Sequence, residues 1–315
     1  MCLFQGTLVN KAVIEATGLV KRYGRMVAVD GVSFSVLENE CFGLLGPNGA
    51  GKSTTIKMIS CTSPVTEGRL MVAGIDVSID PRAVKSRMGV VPQEDNLDPD
   101  LPVRKNLEVY ARYFGISKQE AGPRIDEALA LFQLEEKANA KVDDLSGGMK
   151  RRLTIARALV HEPKILLLDE PTTGLDPQAR HLVWQKLRLL KARGVTMVLT
   201  THYMDEAAHL CDRLVIMHRG KILCDGNPHE LIATHAGPQV LELRMTPEER
   251  APIMARCAAV AGAAVEEVED LVYIYGAAEA SRDVATTIDD PQRAFLRPGN
   301  LEDVFLRLTG RGLLD

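Results

Sequence analysis

The sequence predicts an α/β domain built on a largely parallel sheet, followed by a small α+β domain. Before residue 236, short apolar runs typical of strands alternate with stretches of helical periodicity. A glycine-rich turn at residues 46–54 joins one such run to a helix-like segment, and the balance of charged residues changes at residue 237. With 315 residues, the chain is long enough for one large domain or two smaller ones.

The buried strands of the first domain are predicted from two apolar runs, residues 165–168 and 195–199. Neither run alternates with polar residues, which is typical of parallel strands that are covered on both faces. We therefore expect both runs to be central strands.

Between about residues 100 and 145 the pattern becomes helical, which predicts a mainly helical lobe inserted into the α/β domain. Ser117 and Glu120 have the spacing of a capping box at the start of the second helix. The apolar positions of the two helices are Leu107, Tyr110 and Phe114, and then Ile125, Ala128, Leu129 and Phe132.

The C-terminal part differs from the rest in charge. From residue 237 onward there are 14 acidic residues, 8 arginines and no lysine, a net charge of −6, so the remainder carries +2. This shift predicts a boundary near residue 236, between a first domain at residues 12–236 and a second at residues 237–315. We expect strands at residues 240–243 and 271–275, and helices at 248–260 and 300–308. Nothing in this accessory domain has the pattern of a catalytic site.

The composition argues against several classes of protein. A formal charge of −4 gives no reason to expect a nucleic-acid partner, and six dispersed cysteines without a Cys-x-x-Cys pair indicate reduced thiols. The longest apolar run, residues 257–265, has nine residues. A membrane-spanning helix needs about 20. The N-terminal residues lack the pattern of an export signal, so we expect a chain that is neither secreted nor membrane-spanning.

The glycine-rich turn predicts a nucleoside-triphosphate site. It fits Gly-x4-Gly-Lys-Ser/Thr between a strand-like and a helix-like segment. Glycines let successive N–H groups point toward one place, where the helix N-terminus adds positive charge. Lys52 can reach the β- and γ-phosphates, and Ser53 can ligate Mg²⁺. The loop consists of Gly46, Pro47, Asn48, Gly49, Ala50, Gly51, Lys52, Ser53 and Thr54.

Two acids, Asp169 and Glu170, follow the first buried run. We expect Asp169 to hold Mg²⁺ and Glu170 to orient and polarise the attacking water, so that the product is inorganic phosphate. The alternative is that these acids cap the next helix. It is weak because Pro171 follows directly.

A third element is the run Leu-Ser-Gly-Gly-Met-Lys-Arg-Arg at residues 145–152, followed by a helix-compatible stretch. Ser146 is a good N-cap, and the two glycines after it would let a γ-phosphate approach the backbone. We expect Arg151 and Arg152 to be solvated helix residues or partner-facing charges.

These elements, in this order, resemble the ATP-binding subunit of ATP-binding-cassette (ABC) transporters over roughly residues 12–236. The resemblance implies the P-loop NTPase fold of an ABC cassette, with ATP and Mg²⁺ as ligands. Ser146, Gly147 and Gly148 match the signature that contacts nucleotide, although Met149 stands where the family commonly has glutamine. That difference predicts nucleotide contact with altered turnover, since methionine lacks an amide.

The resemblance also implies roles for further residues. Tyr23 matches the aromatic that stacks on adenine, and Asp176 matches the acid that links two active sites across a dimer. Gln93 matches the glutamine that touches the Mg²⁺ shell and faces the membrane partner. His202 matches the switch histidine on the γ-phosphate. The implied catalytic set is Glu170, His202, Lys52 and Gln93, and the implied metal set is Ser53, Gln93 and Asp169.

In this family the signature of one chain completes the site of another, so a single phosphate loop and a single signature imply a second copy as partner. Residues 88–101 and 301–311 are similar to the nodulation-factor export and daunorubicin-resistance branch of ABC-2 type exporters. That branch implies separate integral-membrane permease subunits and a peripheral position on the cytoplasmic face of a bacterial inner membrane. An importer ATPase, or a soluble ABC ATPase acting on ribosomes or DNA, remains an alternative.

Overall fold

The computed structural model describes residues 11–246, 250, 264–268, 270–276 and 293–310. Its centre is a six-stranded sheet in the order β10-β9-β3-β8-β7-β6, in which every neighbouring pair is parallel except β9 and β10. This confirms the predicted α/β class. The strands are β3 Cys41–Leu45, β6 Met88–Val91, β7 Ile165–Asp169, β8 Thr196–Thr201, β9 Arg213–His218 and β10 Lys221–Gly226.

A second, antiparallel sheet packs against one face of the first. Its order is β2-β1-β4-β5, and its strands are β1 Ala12–Tyr23, β2 Met26–Leu37, β4 Glu67–Val72 and β5 Ile75–Asp76. This sheet was not predicted as separate from the parallel one, because apolar runs do not show which strands will be neighbours. The two sheets are joined by a hydrophobic cluster that includes Val32, Phe34, Phe42 and Leu44.

Alternate residues of β3 face opposite sides of the sheet. Phe42 and Leu44 belong to the cluster beneath the antiparallel sheet, whereas Cys41 and Leu45 belong to a second cluster beneath the helices. All five residues of the strand are buried. The central sheet is therefore covered on both faces, as its apolar strands predicted.

The helices that surround the central sheet begin and end close to the sequence signals. Asp80 caps α2, Asp176 caps α6 and Asn227 caps α8, each followed by proline at the first helical position. The bounds are α1 Lys52–Ile59, α2 Pro81–Lys85, α6 Pro177–Ala192, α7 Met204–Leu210 and α8 Pro228–His235.

The predicted helical lobe is present. It contains α3 Val103–Tyr113 and α4 Lys118–Leu131, then two short 3-10 turns, and α5 Gly147–Leu159 follows. The Ser117 side chain accepts from the amide of Glu120, and the Glu120 carboxylate accepts from the amide of Ser117. The capping box read from the sequence is therefore confirmed.

The C-terminal residues form an antiparallel sheet in the order β12-β13-β11-β14. The strands predicted at 240–243 and 271–275 and the helix predicted at 300–308 are confirmed. The helix predicted at 248–260 lies outside the described residues except for residue 250. The elements are β11 Gln239–Arg244, β12 Ala264–Val268, β13 Leu271–Tyr275, β14 Ala294–Pro298 and α9 Leu301–Thr309.

Helix α9 packs on the rest of the chain. Its residues Leu301, Val304 and Phe305 lie in the same hydrophobic cluster as Leu210 of α7 and Leu231 of α8. The C-terminal helix thus shares a core with the helix that follows β8.

Within the described part of the chain, no helix combines the length and the hydropathy that a bilayer crossing requires.

Candidate functional site

The glycine-rich turn connects the end of β3 to the start of α1. Gly51 caps the helix with φ 102°, and a Cβ there would lie 2.5 Å from the carbonyl oxygen of Ala28. At Gly46 a Cβ would lie 2.2 Å from the carbonyl oxygen of Met217. Both positions therefore require glycine, because neighbouring backbone occupies the space of a side chain. The turn is held tightly between β2 and β9.

Lys52 is nearly buried at the base of this turn. It is 4% exposed and donates to the carbonyl oxygens of Gly46 at 2.7 Å and Pro47 at 2.9 Å. Its Nζ lies 3.9 Å from Oε1 of Glu170. Burial lowers the pKa of Lys52, although the carboxylates of Glu170 and Asp169 oppose this change. The ammonium group bends over the loop, where an anionic ligand would meet it.

Asp169 ends β7 and lies beside Ser53. The Ser53 hydroxyl donates to Oδ1 of Asp169 at 3.0 Å, and the Thr200 hydroxyl donates to the same oxygen at 2.5 Å. One carboxylate and one hydroxyl fit Mg²⁺, which takes few protein ligands and completes its shell with water and phosphate oxygens. The described residues contain no group of three or more His, Cys, Asp or Glu side chains placed to hold a metal ion.

Glu170 follows Asp169 with an unusual backbone. Its φ of 47° is in the left-handed region, which is uncommon for a residue other than glycine. The amide donates to the carbonyl oxygen of Thr200 at 3.1 Å and to its hydroxyl at 3.0 Å. The carboxylate accepts from Thr173 at 3.1 Å and from the Gln93 amide at 3.4 Å. Glu170 is thus held at both its main chain and its side chain.

His202 follows β8 and approaches the same carboxylate. Its Nδ1 lies 3.3 Å from Oε1 of Glu170. This nitrogen is buried and has no hydrogen-bond partner among the described residues. The structure therefore gathers six of the predicted residues at the carboxyl ends of the parallel strands: Lys52, Ser53, Gln93, Asp169, Glu170 and His202.

The signature lies apart from this group. Ser146 caps α5 and accepts from the amide of Met149 at 3.3 Å, and Ser146 and Gly147 are exposed. Gly148 adjoins α6, because a Cβ there would lie 3.1 Å from Cβ of Ala179. Asp176 also caps α6, through the amide of Ala179. Among the described residues, no hydrogen bond or ion pair joins the signature or Asp176 to the six gathered residues.

Tyr23 is likewise separate. It lies at the end of β1, is 43% exposed, and has its hydroxyl 3.4 Å from Oγ of Ser63. The Lys21 ammonium lies 4.9 Å from the ring centroid. The part of the chain that the structure describes shows no polar contact from Tyr23 to the gathered residues, and the exposed ring is free to stack on another group.

The expectation that Arg151 is a solvated residue is wrong, and Arg152 is only partly solvated. Arg151 is 4% exposed, and all its hydrogen bonds go to backbone carbonyl groups. Arg152 is half-buried and donates to the carbonyl oxygen of Phe132 at 2.6 Å. Helical spacing was the overlooked signal, because Arg151 shares the buried face of α5 with Ile155 and Ala158.

Thr200 was not singled out as a functional residue from the sequence. It pairs with Asp169 in the register of the neighbouring parallel strands, so its hydroxyl faces the carboxylate. A polar residue at the end of an otherwise apolar run was the available signal. Its meaning depended on knowing which strand lies beside β8.

Comparison with known families agrees with this geometry. The ABC transporter family profile matches residues 29–173. The profile of the C-terminal domain of the nodulation factor export protein NodI matches residues 251–310. A solved structure, the dimeric post-hydrolysis state of the ATP-binding cassette MJ0796 bound to ADP and Pi, aligns with a TM-score of 0.63 and 29% identity, covering 68% of this chain and 98% of that one.

Two curated relatives match nearly the whole chain, and both are named Nod factor export ATP-binding protein I. The protein from Burkholderia orbicola is 48% identical over 305 residues, which is 96% of this chain and 99% of the relative. That from Paraburkholderia xenovorans is 46% identical over 310 residues, or 97% and 99%. The chain therefore belongs to the Nod factor export ATP-binding protein I family of ABC transporter ATPases.

Proposed function

We propose that this chain is the ATP-hydrolysing subunit of an exporter, in which two copies enclose ATP and drive a separate permease. The observation that carries the proposal is the gathering of Lys52, Ser53, Gln93, Asp169, Glu170 and His202 at one edge of the sheet, with an exposed signature elsewhere on the chain. Family membership supports the ATPase and export assignments.

Each gathered residue has a role that its position supports. Lys52 binds the phosphates, and Ser53 and Asp169 would hold Mg²⁺, which supplies charge neutralisation when bound. Glu170 orients and polarises the attacking water, and Gln93 lies beside it at 3.4 Å. His202 follows β8 and is within 3.3 Å of the Glu170 carboxylate, a position from which it can contact the γ-phosphate side of the site.

A complete site requires a second copy. Ser146 and Gly147 are exposed at the N-terminus of α5, so their hydroxyl and amide groups are available to another molecule. ATP held in the glycine-rich turn of one copy would be covered by the signature of the other, with Asp176 at the contact and Tyr23 against adenine. These signature contacts exist only in the closed pair, so ATP binds the closed pair more tightly than the open one. This difference in affinity drives closure.

The names of the relatives support a proposal for the permease and the cargo. Their name indicates Nod factor export, and we extend this to the chain: a lipo-oligosaccharide, or a related polysaccharide or drug, moves outward through separate integral-membrane subunits. The chain would lie peripherally on the cytoplasmic face of the bacterial inner membrane. The loop after Gln93 and the helical lobe are the surface we assign to the permease.

The composite site can be tested by crosslinking two differently tagged copies. One copy carries Asn48→Cys and the other Ser146→Cys, both in a Glu170→Gln background that retains ATP. Residues 48 and 146 are exposed. Mild oxidation with ATP and Mg²⁺ should give a disulfide-linked species containing both tags, and this species should be absent with ADP.

The matched control replaces Ser146→Cys by Tyr113→Cys, which is on the helical lobe and 82% exposed. This control should remain uncrosslinked. Crosslinks confined to single molecules, or equal yields from the control pair, would contradict the composite site. Co-purification with a permease of the drug-export type supports export, whereas recovery with a periplasmic binding protein would indicate import.

A further inference from the structure

The guanidinium of Arg151 lies where three segments of the chain meet: helix α5, the loop after β6, and the end of β7. We infer that Arg151 is a positioning residue for hydrolysis, which holds the backbone of Gln93 and the backbone of Glu170 in one fixed relation. This inference rests on the proposed roles of Gln93 and Glu170 in the ATPase.

Arg151 forms hydrogen bonds to five carbonyl oxygens. Nε donates to Pro171 at 2.8 Å. Nη1 donates to Pro92 at 2.5 Å and to Gln93 at 3.3 Å. Nη2 donates to Asp169 at 2.8 Å and to Glu170 at 3.0 Å. A single side chain thus joins the loop that carries Gln93 to three consecutive residues at the end of β7.

Arginine is the residue type that this arrangement requires. Its planar group presents N–H donors in a rigid fork, whereas lysine is a point charge on a flexible stem. The carbonyl oxygens of Asp169 and Glu170 belong to residues that are each 6% exposed. Without the guanidinium, the Glu170 carbonyl would keep only the longer contact from the Thr173 amide at 3.4 Å. Weakly paired buried carbonyl groups are costly, so this backbone would rearrange.

The backbone of Glu170 depends on such support. A left-handed φ of 47° in a residue other than glycine is held only where the surroundings fix it. On one side the Glu170 amide is bound by Thr200, and on the other its carbonyl is bound by Arg151. Losing the second contact would allow the peptide to relax and would move the carboxylate that orients water.

The same helix holds the rest of the loop after β6. Arg157 donates to the carbonyl oxygens of Asn96 at 2.6 Å and Asp95 at 3.2 Å. Helix α5 begins at the signature and has Arg151 on its buried face. Hence the helix that presents Ser146 to a second copy also sets the separation of Gln93 from Glu170.

The test compares Arg151→Gln with Arg152→Gln. Both arginines are on α5, and each change removes a guanidinium that is bound to backbone carbonyl groups. Among the described residues, the hydrogen bonds of Arg152 go to the helical lobe, at Phe132 and Gln133. Displacement of a catalytic group by about 1 Å can cost up to about 100-fold in rate. We expect Arg151→Gln to lower kcat at least about tenfold and to change the KM for ATP less than about threefold. Such a result is typical of losing an interaction that is made only in the transition state.

Arg152→Gln should keep kcat within about twofold of wild type, by the same kinetic criterion. Thermal melting of both variants separates stability from positioning: a similar drop in Tm with different kcat values supports the inference. Equal kcat losses in the two variants, or unchanged kcat in Arg151→Gln, would overturn it. If Arg151→Gln does not fold, Arg151→Lys is measured instead, and there a kcat within about twofold of wild type would overturn it.

The proposed function itself is tested separately by the wild-type protein. Absence of ATP hydrolysis in wild type would refute the ATPase roles of Gln93 and Glu170. Hydrolysis in wild type together with unchanged kcat in the Arg151 variants would refute only the positioning role.

Discussion

The hydroxyl of Thr200 donates a 2.5 Å hydrogen bond to Oδ1 of Asp169 across neighbouring parallel strands. The same hydroxyl oxygen also accepts a hydrogen bond from the backbone amide of Glu170 at 3.0 Å. A hydroxyl that is fully buried therefore orients the carboxylate assigned to Mg²⁺ and, at the same time, the backbone of the residue assigned to water.

Thr200→Val should weaken binding of Mg²⁺-ATP and lower the free energy of unfolding by about 1 to 3 kcal/mol, because the change removes both buried hydrogen bonds of the hydroxyl with little change of shape. Urea unfolding and ATP titration measure the two effects. Thr200→Ser keeps the hydroxyl and serves as the control. If valine and serine variants behave alike, the hydroxyl does not have the assigned role.

Glu170→Gln should bind ATP but lose turnover by about 100-fold or more, since an amide cannot accept the proton of the attacking water. Because hydrolysis then no longer separates the copies, a dimer should accumulate in the presence of ATP. Size-exclusion chromatography detects it. Near-normal phosphate release from this variant would show that the water is activated elsewhere.

His202→Ala should retain ATP binding and lose hydrolysis by about tenfold or more, the effect of one charge-assisted contact in a transition state. His209→Ala is the matched control, because His209 is exposed on the following helix, where its ring stacks on Trp184. The measurement is steady-state phosphate release at saturating ATP. Equal turnover in the two variants would remove His202 from the site.

Lys52→Met should weaken ATP binding by about tenfold or more, because the phosphates lose their principal cation and a charge-assisted hydrogen bond. Methionine keeps an unbranched, flexible side chain that is one atom shorter and carries no charge. Lys57→Met changes an exposed lysine of the same helix and should leave the affinity unaltered. Nucleotide titration by fluorescence measures the affinities, and equal losses in both variants would contradict a specific role.

The stability of the nucleotide-free protein should also respond to pH through Lys52. Its pKa is held below the ordinary value of 10.5, mainly by burial, so the folded protein releases this proton at lower pH than the unfolded chain does. Between the two pKa values the unfolded chain binds more protons, and the free energy of unfolding rises with pH. The unfolding free energy of wild type minus that of Lys52→Met should therefore become more positive as pH rises toward 10.5. A difference that stays constant or falls would contradict the buried cation.

Several elements could be predicted because their signals are local. The capping box at Ser117 and Glu120 has both partners within one turn of helix. The strand at Leu271–Tyr275 was visible as an apolar run. The antiparallel sheet was missed, since apolar runs do not state which strands will be neighbours or in which direction. The division into domains at residue 236 stays a prediction.

The sequence by itself determined the chemistry of each short motif: a strand, a glycine turn and a helix that follow one another, with Lys52 and Ser53 at the junction. The tertiary structure decided which motifs meet. Arg151 is buried and donates hydrogen bonds to the backbone carbonyl groups of both Gln93 and Glu170, because the face of α5 that carries it packs against the sheet. Thr200 contacts Asp169 because β7 and β8 are neighbouring strands. The physical reason is that burial and contact depend on segments distant in sequence, whereas turn and cap chemistry depends on adjacent residues.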